Sequence, residues 1–259
     1  MAKYLLLLKN QISLITTYRF ELSWRWLSTL FEIVVYFSLW SLTAQGNQAD
    51  LKKLLLYYIL FFGILHNLQS SKVASWMGDD ISSGALNQYL TKPINFPLVQ
   101  IIKTITILIV RVITPIIILS VGTLFFPGYL APAGVINFIF FLIFALLGLI
   151  LWNLLMVIIG SLAFWLTEIR SLVTVVDLIF TFLKGAFIPA YLYPDRVKTL
   201  LSYTPFSYLT SFPTDIYQGF VSGEKLFSGS MIIVFWIIVL GFLCRFIYGR
   251  GVRRYEAFG

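Results

Sequence analysis

WMGDDISSGALNQYLTKPINFP, residues 76–97, is the longest polar interruption in the N-terminal half of an otherwise apolar chain. Apolar runs long enough to cross a bilayer flank it on both sides, so the whole fold hangs on it. Asp79 and Asp80 are favourable N-cap residues, because a side-chain oxygen can accept from the unpaired amides of a first helical turn. Ile81, Ala85 and Tyr89 then recur at i, i+4, with Leu86 and Leu90 beside them. Lys92-Pro93 stops the pattern, since proline cannot donate and restricts the residue before it. The spacing predicts a short amphipathic helix, Asp80 to Leu90, lying at a membrane surface between two spans. Two roles fit such a helix: a docking element for a partner, or a capped loop helix with none.

Composition sets the class. Hydrophobic residues make up 59% of the chain and charged residues 12%. A soluble domain carries about 25% charged residues, so this is an integral membrane protein. At 259 residues, several spans of about 20 residues each use most of the chain and leave little for a soluble catalytic domain. The single cysteine, Cys244, excludes an intrachain disulfide framework and a cysteine metal cluster. The single histidine, His66, makes a histidine metal site a poor expectation and fits a bonded structural residue better than a proton relay. A net charge of +8 would suit nucleic acid in a soluble chain, but here it fits basic cytoplasmic loops.

The expected architecture is all-α, with six transmembrane helices at 22–44, 54–74, 98–126, 135–166, 172–188 and 231–247. Residues 1–20 form an amphipathic stripe (Tyr4, Leu5, Leu8, Ile12, Ile15) suited to an interfacial helix. Asn47, Gln48, Asp50, Lys52 and Lys53 read as the first outer loop, and a kink is expected at Pro115 in span three. Residues 190–228 hold many aromatics and prolines. They are too apolar for a solvated loop and too broken for a span, so short helices dipping back into the outer leaflet and packed on protein are expected. Both ends then lie on one side, and Lys and Arg divide eleven to five in favour of that side. The excess puts both termini and the 76–97 segment in the cytoplasm.

Several charges fall within these spans. Glu21 and Arg25 are i, i+4 and can pair. Glu32 continues their face into span one, Arg111 lies in span three, and Asp177 and Lys184 share a face of span five. Charges at such depth face protein or a watery path. A structural pair of Glu32 with Lys184 and a polar wall for a transport path are the two roles open to them.

The chain lacks a GxxxxGK[ST] phosphate loop, an HExxH and a GxSxG. An ATP-driven process would therefore need its ATPase on another chain. At the inner segment, ISSGALNQYLTKPIN resembles the G-x-L-x-x-x-L-x-[KR]-P stretch of bacterial type-2 ATP-binding-cassette (ABC) transporter permeases. The outer stretch KGAFIPAYLYPDRVKTLLSYTPFSYLTSFPTDIYQG is similar to their G-x-x-IP…PF-x-Y…P…G pattern. The tail GVRRYEAFG resembles the RRY-x-x-x-G ending of one branch.

The resemblance implies a half-transporter of an exporter in the bacterial plasma (inner) membrane. A second permease protomer, identical or a sister subunit, would complete the path. A cytosolic ABC ATPase dimer would power it, holding the ATP and Mg, with no cofactor or metal on this chain. Asp80, Ile81, Ala85, Leu86, Tyr89 and Leu90 would form the ATPase-coupling helix, and Phe206, Tyr208, Phe212 and Tyr217 the outer gate. The substrate stays open among hydrophobic drugs, peptide antibiotics, lipids and glycans. The alternative is an ion-coupled secondary transporter using Glu32, Asp177 and Lys184, although no internal repeat of broken spans supports it. A lipid-modifying enzyme would need a nucleophile–base or metal constellation that the sequence does not show.

Overall fold

The computed structural model describes residues 19–44, 47–92, 95–125 and 130–255. The expected interfacial stripe before residue 19, Pro93, the Pro127-Gly128 turn and the last four residues of the tail lie outside it. So do the side chains of Glu21 and Arg25. The regular elements among the described residues are all helices, with no strand among them. α1 is Arg19–Ser41, extended by a 3-10 turn, Leu42–Ala44. Two indole hydrogen bonds fasten it: Trp26 Nε1 donates to Thr114 Oγ1 at 2.7 Å and Trp40 Nε1 to the Phe187 carbonyl at 2.7 Å.

The first outer loop is shorter than expected. α2, Gln48–Tyr58, already begins at residue 48, capped by the Asn47 side chain accepting from the Ala49 amide at 3.0 Å. Its polar residues Lys52 and Lys53 are exposed on one face, while Leu54, Leu56 and Tyr57 are buried. The polarity is that of an amphipathic helix. α2 continues as a π-helical stretch, Ile59–His66, and the run breaks at Gln69–Ser71, where one continuous span had been expected.

α3, Lys72–Ser82, follows the break, and a single turn, α4, Asn87–Leu90, comes after it. The predicted helix from Asp80 to Leu90 is therefore corrected. Asp79 and Asp80 sit in the last turn of α3 and are not N-caps. That helix continues past them because Ala74, Met77 and Ile81 bury one face. It packs so closely on α7, Val135–Ser161, that a Cβ on Gly160 would lie 2.8 Å from the Met77 Cβ. The helix stops at Gly84, whose φ of +80° is open to glycine and costly for other residues.

The third expected span is two helices, α5, Phe96–Arg111, and α6, Ile113–Phe125. The break falls at Val112, not at Pro115. Pro115 lacks the N–H that would reach the Arg111 carbonyl and its ring crowds that carbonyl, so the ladder fails one turn before the proline. α7 runs on into a 3-10 turn, Leu162–Phe164. α8, Arg170–Leu183, follows, then α9, Asp195–Ser202, a 3-10 turn, Phe206–Leu209, α10, Ser211–Tyr217, and α11, Glu224–Arg254. Val135–Phe164 and Glu224–Arg254 are each long and apolar enough to cross a membrane. The main core lies where α3, α7, the 206–217 region and α11 meet.

Candidate functional site

Three places matter: the inner tip, a buried polar junction, and the outer helices. At the tip, neighbouring aspartates are shared between two different helices. Asp79 takes a bidentate contact from Arg170 at the start of α8, with Nε and a terminal nitrogen at 3.0 and 2.9 Å. The Asp79 carboxylate raises the Arg170 pKa. Glu168 accepts from the Arg170 and Ser171 amides at 2.9 and 3.2 Å, capping α8. Its bonds to Ser171 hold its carboxyl below the usual range.

Asp80 turns to α5. It accepts from Gln100 Nε2 at 2.6 Å and lies 3.6 Å from Lys103 Nζ, which itself donates to the Tyr89 hydroxyl at 3.3 Å. Of the residues expected to form a docking stripe, Ile81 and Leu86 are buried in this chain's own core, and Ala85 and Tyr89 are half-buried. Leu90 stands out at 44% exposed, among exposed Asn87, Gln88, Thr91 and Lys92.

The buried junction is assembled from helix ends. α8 has 14 residues, about 21 Å at 1.5 Å per residue, against a hydrocarbon core of about 30 Å. It ends at Lys184 with the hydrogen bonds of a Schellman cap: Gly185 N–H to Phe182 O and Ala186 N–H to Thr181 O. Lys184 is fully buried. Its ammonium donates to Gln69 Oε1 at 3.0 Å, lies 3.5 Å from His66 Nδ1 and sits 4.1 Å from the centre of the Trp152 ring. The expected pair with Glu32 is thereby corrected, because among the described residues Lys184 forms no ion pair. Glu32 is half-buried on α1, and Asp177, half-buried two turns before Lys184, is near enough for its charge to act on it.

Arg111, at the break in the third span, donates to the Asn67 and Gln69 carbonyls at 3.3 Å each. A cation thus caps the end of the helix expected as span two, where carbonyls are left unpaired. Gln69 completes the knot by donating to the Leu209 carbonyl at 2.8 Å. Sequence reasoning missed Gln69, although the polar run Gln69-Ser70-Ser71 inside an apolar stretch marks it.

The expected gate residues pack against α7 and α8. Tyr208 is buried and donates to the Ser202 carbonyl. Its ring lies 4.9 Å from that of Phe212, which meets Phe144 of α7 at 5.1 Å. Phe206 packs on Phe180 at 4.9 Å, and Tyr217 stands edge-on to Phe141 at 5.1 Å. Beside them lies a cavity of about 630 Å³. It includes Asp215, a second residue that sequence reasoning missed. An acid between Pro213 and Tyr217 in an aromatic, proline-rich stretch was the available signal. No group of His, Cys, Asp and Glu among the described residues could hold a metal ion.

A family model described as ABC-2 family transporter protein matches residues 26–259, nearly the whole chain. The chain belongs to the ABC-2 transporter family. No curated protein matches it. As an ABC-2 permease it is a membrane transport subunit of an ABC transporter, a family that implies partnership with an ABC ATPase.

Proposed function

We propose that this chain is one half of an ABC exporter in the bacterial plasma membrane. It crosses six times with both termini in the cytoplasm, and separate cytosolic subunits hydrolyse ATP with Mg. A second permease protomer completes the path. Exposed apolar residues on α1 (Leu27, Leu30, Phe31, Val34) and α8 (Val175, Leu178, Ile179, Phe182) offer faces for it or for lipid. The outer helices at 195–217 close the exit.

The observation that carries the proposal is the wiring of the inner tip. The exposed turn Asn87–Leu90 is connected through Asp79 to the start of α8 and through Asp80 to α5. A partner pressing on that turn would move both helices, and with them Lys184 and Arg111 at their far ends. Because Ile81 and Leu86 are core residues, the docking contact falls to Leu90 and its exposed neighbours.

Leu90→Asp therefore reduces the amount of ATPase that copurifies with the tagged permease by about tenfold, the loss of one apolar anchor, while the membrane level of the permease stays unchanged. Undiminished copurification would remove the tip from the docking surface.

A further inference from the structure

The cavity beside the helices at 195–217 contains a carboxylate without a hydrogen bond of its own. At about 630 Å³ it falls within the ~300–1,000 Å³ of pockets that hold drug-sized molecules. Tyr191, Tyr193, Tyr203, Tyr208, Phe212 and Phe220 line it, with Asp215 among them. Among the described residues the Asp215 carboxylate accepts no hydrogen bond and joins no ion pair. Asp215 is half-buried, and desolvation pushes its pKa up to about 7, against the opposing pull of Lys198.

Several of the other polar groups on the walls are already engaged. Lys198 sits 3.6 Å from Asp195, while Lys225 is an exposed residue in the first turn of α11. The hydroxyls of Thr199, Ser202, Ser207, Tyr208 and Ser211 all donate to backbone carbonyls. What stands out on the walls is ring surface and, at Asp215, a carboxylate without a hydrogen bond, with Lys198 and Lys225 also among the lining residues.

We propose that this cavity binds an amphiphilic organic cation, with its charged centre at Asp215 and its apolar groups against the aromatic walls. Ring faces attract cations as well as apolar groups, so both features of the site select the same class of ligand. The proposal deepens the transport reading and rests on it for physiological meaning. Binding is nevertheless measured on the permease alone, without ATPase or ATP, so failure of one does not imply failure of the other.

The test uses two ions of one shape and opposite charge, tetraphenylphosphonium and tetraphenylborate, titrated against the full chain in lipid nanodiscs with empty nanodiscs subtracted. Phosphonium binds saturably and at least about tenfold more tightly than borate, a factor worth about 1.4 kcal/mol. Asp215→Asn removes about tenfold of the phosphonium affinity and leaves borate unchanged, while Asp215→Glu retains phosphonium binding. Equal affinity for the two ions overturns the proposal, as does Asp215→Asn binding phosphonium like the unsubstituted chain. Should Asp215→Asn fail to fold, the comparison of the two ions on the unsubstituted chain decides by itself.

Discussion

Two glycines end two helices in this protein with nearly the same backbone, yet they sit in opposite settings. Gly84 stops α3 at the inner tip with φ +80°, and Gly185 stops α8 at the buried junction with φ +95°. Both donate to the carbonyl three residues back, as a helix cap of this kind requires. Around Gly84 there is space: a Cβ there would meet nothing nearer than the Tyr255 hydroxyl at 4.0 Å. Around Gly185 a Cβ would lie 2.6 Å from the Tyr57 hydroxyl and 2.8 Å from Ser211 Oγ. Those two hydroxyls are part of the junction. Tyr57 donates to the Gly185 carbonyl at 2.9 Å, and Ser211 and Thr210 donate to the Lys184 carbonyl at 2.6 and 2.8 Å. The inner turn is a free end that a partner can reach. The turn at Gly185 is a crossing point where side chains from two other segments satisfy the carbonyls a helix leaves open.

The comparison is tested hardest at Gly185. Gly185→Ala carries about 1–2 kcal/mol for a left-handed residue and a further 1–3 kcal/mol for forcing atoms into a filled space. It should lower the thermal unfolding midpoint of the purified protein more than any other single change considered, or abolish the folded form. A mild effect would mean that the Tyr57 and Ser211 hydroxyls are free to move and that the crossing point is loose.

Gln69→Leu comes next. It removes the oxygen that accepts from Lys184 and the N–H that reaches Leu209, so a buried ammonium loses a partner and a buried carbonyl its donor. Hydrogen bonds to charged groups are worth about 1.5–3 kcal/mol, and a loss of that size should appear as a lower midpoint. Adding Lys184→Met should then recover part of it, because the charge that lacked a partner is gone. If the double variant is no better than Gln69→Leu, Lys184 is not what Gln69 serves.

The smallest effect belongs to Gly84→Ala. With open space around the Cβ, only the backbone term of about 1 kcal/mol remains, and the midpoint should fall slightly. Equal losses at Gly84 and Gly185 would show that backbone conformation alone governs both turns, and the contrast between them would disappear.

Much of the site was legible in the sequence where the signal is local. The aromatics of the outer segment announce a packed region, because rings that large are not left in water along a 39-residue stretch, and Phe206, Tyr208, Phe212 and Tyr217 do pack together against α7 and α8. Pro115 announces a break, and its offset to Val112 follows from which carbonyl a proline disturbs. Lys184 announces itself as a charge in an apolar run. Its partners do not, since Gln69 and His66 are more than a hundred residues away in the chain.

Composition and periodicity alone determined that this is a helical membrane chain, because apolar length and helical repeat are properties of each segment by itself. Asp79 and Asp80 show where that stops. In sequence they are a pair of ideal helix caps. In the structure they end a helix, and one binds Arg170 while the other binds Gln100 and Lys103. A carboxylate can satisfy its oxygens with local amides or with distant cations at similar gain. Packing of α3 on α7 carried the helix past both aspartates and brought α5 and α8 alongside, so only the tertiary structure decided which choice each acid made.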